Sequence, residues 1–275
     1  MRAYGVDFTS VPRPGKPICV AACWLDGDVL RFERLERARS LAAFEASLNA
    51  PGPWIAGFDF PFTQSRTFLG NIGWPEGWAD LARHVGAMKR EEFRAALEDY
   101  KRDRAPGDRE HSRALEKGTG AASPQKLYGV PVALMFFEGV PRLQRAGLHV
   151  PGLALGDRSR VAYEAYPGVA ARALIGRRPY KNEARAKQTA ALRDARRDLL
   201  AALTGEPGRS RFGLRVEAPE WLAEDPGGDP LDALICAAQA AWAHRALDAE
   251  PGLLDRADPV EGWIADPWMA DRLRH

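Results

Sequence analysis

The sequence predicts an α/β fold in which helices flank a mixed β-sheet. Short apolar segments bounded by Pro, Gly and Asp turns fill the N-terminal part, and they have the length and composition of strands. Further along, segments with helical spacing of apolar residues alternate with strand-like runs, as in α/β proteins. The chain has 275 residues, of which 45% are hydrophobic and 28% charged. This length is sufficient for one large core without disulfides or metals, and we expect a single domain over 1–275.

The N-terminal part is predicted to form most of the sheet. The turn "VPRPGKP" separates the first two strands, and "DGD" indicates a hairpin into the third. Ser40 is a candidate N-cap for the helix that follows, and "PGP" ends that helix. The predicted elements are strands at 3–9, 18–25 and 29–35, a helix at 40–50 and a strand at 54–62. We expect about five strands in all, the first three antiparallel and the fourth beside the first.

Residues 63–128 differ in character from the rest of the chain. An aromatic, glycine-rich start, "FLGNIGWPEGW", is followed by a stretch dense in Lys, Arg, Glu and Asp. Charges of both signs along a helix are typical of a solvated face, so we predict a mainly helical insertion within the domain. The elements predicted after it are a helix at 131–147, a strand at 160–168, helices at 182–203 and 229–247, and a closing strand at 261–264.

Five acidic residues lie at the edges of predicted core elements. Asp7 and Asp59 end apolar strands, and Glu164 lies within the strand "VAYEA". Asp229 and Asp232 open the apolar helix three residues apart, which places both near one face. Burying a lone carboxylate is unfavourable, so each of these acids needs a partner, a metal or a chemical role.

Each acid also has a structural explanation. Asp229 before Pro230 is a candidate N-cap, and Asp232 would complement the positive end of the helix dipole. Glu164 would pair with a buried arginine, and Asp59 would simply end its strand. The occurrence of five such acids at element edges favours a shared site.

A shared site of this kind would hold a hard metal ion. Carboxylates held close together cannot all stay ionised without counter-charge. Oxygen ligands without cysteine or histidine suit Mg²⁺ or Mn²⁺ better than Zn²⁺, and a pair of such ions clamps the attacking and leaving oxygens in phosphodiester hydrolysis. We therefore predict Mg²⁺ or Mn²⁺ as the cofactor. The predicted metal ligands are Asp7, Asp59, Glu164 and Asp232.

The order of these motifs resembles the ribonuclease H-like superfamily, and "DPLDALICAA" is similar to the helix start of RuvC-type Holliday-junction resolvases. More narrowly, "GVDFTSVPR", "GFDFPF", "EAYPG" and "DALICAAQAAW" resemble the uncharacterised prokaryotic family catalogued as domain of unknown function 429. That family is grouped with predicted ribonuclease H-like nucleases. The resemblance spans nearly the whole chain and is weakest over 63–128.

The resemblance implies a ribonuclease H-like sheet and a metal-dependent nuclease. By position, Asp7 matches the first-strand aspartate of the superfamily, Asp232 the helix aspartate and Asp229 the additional acid of the resolvases. The middle acid is either Asp59 or Glu164, and both stay candidates. Our leading hypothesis therefore takes all five acids, Asp7, Asp59, Glu164, Asp229 and Asp232, as the catalytic site.

Basic residues indicate where a nucleic acid, DNA or RNA, would bind. The net charge is only +2, so attraction to a polyanion has to come from local patches. Lys126 lies beside a glycine-rich turn, and the segment "GRRPYKN" follows the Glu164 strand. The predicted substrate-binding residues are Lys126, Arg177, Arg178 and Lys181. Trp74, Trp78 and Tyr128 would either stack on unpaired bases or pack in the core.

Cysteine usage and hydropathy predict a cytoplasmic protein that does not associate with membranes. Cys19, Cys23 and Cys236 lie in apolar runs, as buried reduced thiols do. No charged leader precedes an apolar stretch at the N-terminus. The most apolar helical run, 233–243, is shorter than the roughly 20 residues that a bilayer requires.

Two other functions compete with the nuclease. One is a nucleic-acid-binding scaffold without catalysis, although a scaffold alone would not need five acids. The other is an ATP-dependent phosphotransferase, because "GVDFTS" also resembles the first phosphate loop of sugar kinases and actin-like ATPases. That class needs two such folds and a glycine-rich adenosine motif, for which this chain is short.

Overall fold

The computed structural model describes residues 1–182 and 185–274 and has the α/β architecture that the sequence predicts. The strands are β1 (Arg2–Asp7), β2 (Ile18–Asp26), β3 (Val29–Ala38), β4 (Trp54–Phe58), β5 (Leu148–His149), β6 (Asp157–Glu164) and β7 (Arg215–Glu217). The helices are α1 (Leu41–Leu48), α2 (Arg66–Ile72), α3 (Trp78–Gly86), α4 (Arg90–Arg102), α5 (Val132–Arg145), α6 (Pro167–Ile175), α7 (Ala190–Thr204), α8 (Glu206–Phe212), α9 (Asp229–Ala249) and α10 (Pro267–Arg274).

The strands form one mixed sheet in the order β5-β6-β4-β1-β2-β3-β7. β1, β2 and β3 are antiparallel, as predicted, and β4 lies parallel to β1 on its other side. β6 continues this parallel part of the sheet beside β4. The short outer strands β5 and β7 were not expected, because two or three residues carry too little pattern to be recognised.

Two predicted elements differ from the structure. The closing strand at 261–264 is absent from the described chain; Asp258 instead accepts hydrogen bonds from the backbone nitrogens of Val260 and Glu261, which bends this segment into a turn. The helix predicted from 182 begins at Ala190, where Thr189 caps it by accepting a hydrogen bond from Leu192 N. Residues 183 and 184 of that prediction lie outside the described residues.

Helices cover both faces of the sheet because alternate strand residues point to opposite sides. Ala3 of β1 belongs to a core shared with α6, α7, α8 and α9, which includes Leu199 and Leu234. Val6 belongs to a second core shared with α1 to α5, which includes Phe93. The helices of segment 63–128 therefore pack on the face opposite α9.

Helix α9 lies unusually close to the sheet. Gly5 and Gly57 are paired across β1 and β4, and a Cβ at Gly5 would lie 1.9 Å from Ala233 O. A Cβ at Gly57 would lie 2.3 Å from Cys236 O. Only glycine at both positions lets the helix backbone rest on the strands, and this contact fixes how far α9 stands from the ends of β1 and β4.

No helix in the described part of the chain is both long and apolar enough to cross a membrane. The cysteines are buried and free, as the sequence predicts.

Candidate active site

Three of the five acids end neighbouring parallel strands. Val6 pairs with Phe58, and Phe58 pairs with Glu164. Asp7 ends β1, and Asp59 follows β4 directly and donates its backbone N–H to Val6 O at 2.9 Å. In open α/β sheets, ligands bind at the carboxyl ends of the strands, so these three acids lie at the edge where a site is expected.

The other two acids lie in the first turn of α9. The helix begins at Asp229, and its N-cap is Gly228, whose φ of +79° favours glycine. The prediction of Asp229 as the N-cap is therefore wrong by one residue. Asp232, one turn further, is completely buried. An acid near a helix N-terminus is stabilised by the helix dipole.

Lys181 provides counter-charge to four of these acids, and Lys16 adds to it at Asp229. We call this group the aspartate cluster: Asp7, Asp59, Asp229 and Asp232. Lys181 donates a hydrogen bond from Nζ to Asp232 Oδ2, and Tyr180 donates from its hydroxyl to Asp232 Oδ1 at 2.7 Å. The Lys181 side chain is 39% exposed, so it reaches the buried cluster from the surface.

The aspartate cluster carries more negative charge than Lys181 balances. Burial raises the pKa of Asp7 well above its ordinary value; Lys181 opposes this increase and the neighbouring aspartates add to it. Burial also raises the pKa of Asp59 from 3.8 to about 7, and it raises the pKa of Asp229. Within the described residues, the carboxylates of Asp7 and Asp59 accept no hydrogen bond. Asp7 is buried and Asp59 partly exposed, and both carboxylates line the large cleft without a hydrogen-bond donor from the described part of the protein.

Glu164 lies beside the aspartate cluster but belongs to a different set of contacts. Its Oε2 accepts hydrogen bonds from Phe62 N and Arg113 Nη1, both at 2.8 Å, and Oε1 accepts one from Arg113 Nη2. Arg113 also binds Glu116, with Nη2 to Oε1 at 2.7 Å. We call these three residues the Arg113 network. Glu164 is therefore the arginine-paired acid that its structural explanation anticipated.

The arginine of this network is almost completely buried, with 1% of its side chain exposed. Burial alone would lower the pKa of Arg113, but the carboxylates of Glu116 and Glu164 raise it above its ordinary value. Thr63 Oγ1 accepts a further hydrogen bond from Nη1 at 3.0 Å. The donors of Arg113 are thus all directed at oxygens of the protein, although one guanidinium faces two carboxylates and burial raises the pKa of Glu164 against the opposing charge of Arg113.

The donor set fits a hard metal ion, but this conformation does not assemble it around one. Across residues 1–182 and 185–274, no three Asp, Glu, His or Cys side chains are arranged to hold a metal ion. Asp232 instead accepts hydrogen bonds from Lys181 and Tyr180. The Lys181 ammonium is the cation that the aspartate cluster contacts here, and carboxylate oxygens are what Mg²⁺ and Mn²⁺ bind.

Two cavities meet at the aspartate cluster. A cleft of about 800 Å³ is lined by Asp7, Asp59 and Asp229 together with the loop after β1. A smaller cavity of about 340 Å³ lies on the other side of Asp59, against the Arg113 network. Asp59 and Lys181 line both cavities, so a ligand in either would contact the cluster.

The model of the family described as protein of unknown function (DUF429) matches residues 5–251, which contain all five predicted acids. The chain belongs to this family. No curated protein and no solved structure matches it. The family named by the sequence resemblance is confirmed.

The predicted substrate-binding residues lie in three different places. Lys126 lines the smaller cavity of this DUF429 chain, with Nζ 5.3 Å from the Tyr128 ring centroid. Lys181 binds Asp232 within the aspartate cluster. Arg177 and Arg178 are exposed and line neither cavity, and Arg178 pairs with Asp198 at 2.7 Å.

The aromatic residues divide between core and surface. Trp78 is buried and donates its Nε1–H to Phe62 O at 2.9 Å, and Trp74 packs against Phe68 and Phe93. Tyr128 is 66% exposed. The core-packing alternative therefore applies to both tryptophans, and Tyr128 alone of the three stays a stacking candidate.

Sequence reasoning missed Arg113 and Tyr180. Arg113 lies in a stretch with many exposed charges, and its sequence neighbours do not distinguish it from them. Tyr180 precedes Lys181, which was selected only as a basic residue. The need of each buried acid for a partner predicts that a buried arginine or a hydroxyl donor exists. It does not identify which arginine or which hydroxyl that is.

Proposed function

We propose that this DUF429 protein is a Mg²⁺- or Mn²⁺-dependent nuclease that hydrolyses phosphodiester bonds of nucleic acid. The observation that carries the proposal is the aspartate cluster, in which four carboxylates share Lys181 at the carboxyl ends of β1 and β4. Such an excess of negative charge favours a multivalent cation. The ribonuclease H-like resemblance of the sequence supports the same assignment, including a ribonuclease H-like interpretation of the sheet.

Asp7, Asp59 and Asp232 would hold the metal, and Asp229 would lie beside the site without being a ligand. When bound, a pair of such ions supplies an activated water and charge stabilisation for the leaving oxygen. Asp7 and Asp59 accept no hydrogen bond from the described residues and are open to a metal. Glu164 would not bind the metal itself, because both of its oxygens accept hydrogen bonds from Arg113. It would support the site only indirectly.

Lys181 would move when metal binds. Its ammonium neutralises Asp232 in the metal-free protein, and its exposed stem gives it a path to solvent. Lys181 lines both cavities. Once displaced from Asp232, its ammonium would therefore be able to contact a substrate phosphate. Tyr180 would stay on Asp232 and fix the orientation of that carboxylate.

The 800 Å³ cleft would receive the nucleic acid backbone. Arg13, Lys16 and Arg90 line it, and Arg13 is exposed at its mouth. Arg90 is held in place by Glu138 at 2.6 Å and by Ser10. Positive side chains around a metal-binding acid cluster provide phosphate contacts without base specificity. We assign this activity to the cytoplasm, where the free cysteines stay reduced.

The test is cleavage of labelled single-stranded, duplex, hybrid and branched DNA and RNA with Mg²⁺ or Mn²⁺. We expect Asp7→Asn to abolish cleavage while the protein stays folded, because the substitution keeps the shape and removes one ligand charge. Asp198→Asn is the matched control, since Asp198 lies on α7 outside both cavities. Cleavage by Asp7→Asn at the wild-type rate would contradict the proposal.

One observation favours the non-catalytic nucleic-acid-binding scaffold as a second candidate. The Lys181 contact already neutralises Asp232 without metal, and a scaffold would keep that arrangement permanently. It predicts nucleic acid binding that EDTA does not weaken and no hydrolysis of any substrate. Metal-dependent cleavage would eliminate it.

A further inference from the structure

The 340 Å³ cavity beside Asp59 has no role in the metal-dependent step described above. It lies between the end of β4 and the beginnings of α5 and α6. Its volume falls in the range of small-molecule sites, and such sites are mainly apolar with a few oriented polar groups. Because Asp59 and Lys181 line this cavity, an occupant would be next to the aspartate cluster.

The walls of this cavity suit a flat, uncharged group. Phe60, Met135 and Tyr166 contribute apolar and aromatic surface. At its polar side, Arg113 directs its donors to Glu116, Glu164 and Thr63. An anion at this side of the cavity would therefore meet the carboxylates of Asp59, Glu116 and Glu164 and an arginine whose donors are already used, so a phosphate is disfavoured there.

The rim of the cavity has the opposite character. Lys126 lines it, and this ammonium forms no ion pair with a carboxylate in the part of the chain that the structure describes. Tyr128, close to Lys126, is largely exposed. A ligand with an uncharged aromatic part inside and an anionic part at the rim would satisfy both regions.

We propose that this cavity, which we call the base cavity, binds one unpaired nucleobase of the substrate while Lys126 and Lys181 contact the adjacent phosphates. This inference rests on the proposed function and names its substrate class: single-stranded nucleic acid or a strand with unpaired bases. A base within an intact duplex would have to leave its stack and its pair first, which disfavours duplex substrates.

The experiment measures mononucleotide binding to the whole chain in EDTA, so that no cleavage occurs. The probes are AMP, CMP, GMP and UMP, with ribose 5-phosphate as the ligand that lacks a base. Saturation-transfer NMR reports which protons of the ligand contact the protein, and equilibrium dialysis gives the affinity. We expect stronger transfer to base protons than to ribose protons, and weaker binding of ribose 5-phosphate.

Two substitutions fill the base cavity from different walls. Ala122 and Val132 are both partly exposed and line this cavity but not the larger cleft. We expect Ala122→Phe and Val132→Phe to weaken mononucleotide binding by about tenfold or more. The added ring would occupy the volume that the base needs. Leu155→Phe is the matched control, since Leu155 is 86% exposed and lines neither cavity.

Three outcomes would overturn the proposal that the base cavity binds a nucleobase. They are no mononucleotide binding, equal binding of ribose 5-phosphate, and unchanged mononucleotide binding in both filled variants. The NMR measurement on wild type decides the question even if a filled variant unfolds. Cleavage of nucleic acid without base binding would refute this inference but would support the proposed nuclease function. Base binding without cleavage of any substrate would refute the nuclease instead.

Discussion

Two groups of buried or partly buried carboxylates lie side by side at one edge of the sheet, and their oxygens are partnered differently. In the Arg113 network, the oxygens of Glu116 and Glu164 accept hydrogen bonds from one guanidinium. In the aspartate cluster, four acids share Lys181, and Asp7 and Asp59 accept no hydrogen bond from the described residues.

The difference separates acids that hold the structure from acids that are available for chemistry. A buried carboxylate with matched donors is stable where it is. A carboxylate removed from water without such donors takes up a proton or binds a cation. Burial raises the pKa of Asp59 to about 7, and it also raises the pKa of Glu164, but there the charge and hydrogen bonds of Arg113 oppose the increase. Position alone does not make this distinction, because Asp59 and Glu164 end adjacent strands.

The largest effect is expected from Arg113→Met. The substitution leaves Glu116 and Glu164 buried without their partner, and breaking a buried pair from one side costs about 3–5 kcal/mol. Urea unfolding of metal-free protein measures this loss. Adding Glu164→Gln to Arg113→Met should recover part of the free energy of unfolding, since one uncompensated charge is removed. A loss below about 1 kcal/mol would mean that the network is not a structural element.

A smaller loss is expected from Gly57→Ala, which acts on the aspartate cluster through the contact between β4 and α9. The new Cβ would lie 2.3 Å from Cys236 O, so α9 has to move away from the sheet. Overpacking of this kind costs about 1–3 kcal/mol, and it would carry Asp232 away from Asp59. Gly15→Ala is the matched control, because a Cβ at Gly15 meets nothing within 4 Å. Equal stability and cleavage in both variants would refute the close-packing argument.

The third effect is a fall in stability as the pH rises. Burial raises the pKa of Asp59 from 3.8 to about 7, so between these values the folded state holds a proton that the unfolded chain has lost. The free energy of unfolding of metal-free protein should then decrease from pH 4 to pH 7. Asp59 contributes at most about 1.4 kcal/mol per pH unit to this slope, and Asp7 and Asp229, whose pKa values burial also raises, add to it. Urea titrations in EDTA measure it, and Asp59→Asn should reduce the slope. An unchanged slope in Asp59→Asn would assign the titration to another group.

The smallest effect is expected from Arg178→Gln. Arg178 and Asp198 form an exposed ion pair with side chains 51% and 55% exposed, and such pairs contribute about 0–1 kcal/mol. Neither the free energy of unfolding nor the cleavage rate should change measurably, since Arg178 lines neither cavity. A large decrease in cleavage would restore Arg178 as a substrate contact.

Much of the sheet and the position of the acids could be predicted from the sequence. Strand ends and the first turn of a helix leave recognisable patterns, so Asp7, Asp59, Glu164, Asp229 and Asp232 could all be selected from local context. Their assembly at one edge also follows from the parallel order of β1 and β4. The description of 63–128 as an insertion is not tested by the structure and stays a prediction.

The charge partners could not be predicted in the same way. Arg113 and Glu164 are 51 positions apart, and Lys181 and Asp232 are also 51 positions apart. Pairing over such distances depends on tertiary packing, which local pattern does not contain. The same limit explains why Arg177 and Arg178 were selected with Lys181: they are adjacent in sequence but face solvent.

The most direct test of the central claim is calorimetric titration of Mn²⁺ into metal-free wild type, Asp7→Asn and Asp198→Asn at pH 7. The claim is that the aspartate cluster, and not acidity in general, binds the metal. We expect saturable binding to wild type and Asp198→Asn, and affinity weaker by about tenfold or more in Asp7→Asn. Equal affinity in Asp7→Asn, or no binding to wild type, would contradict the account.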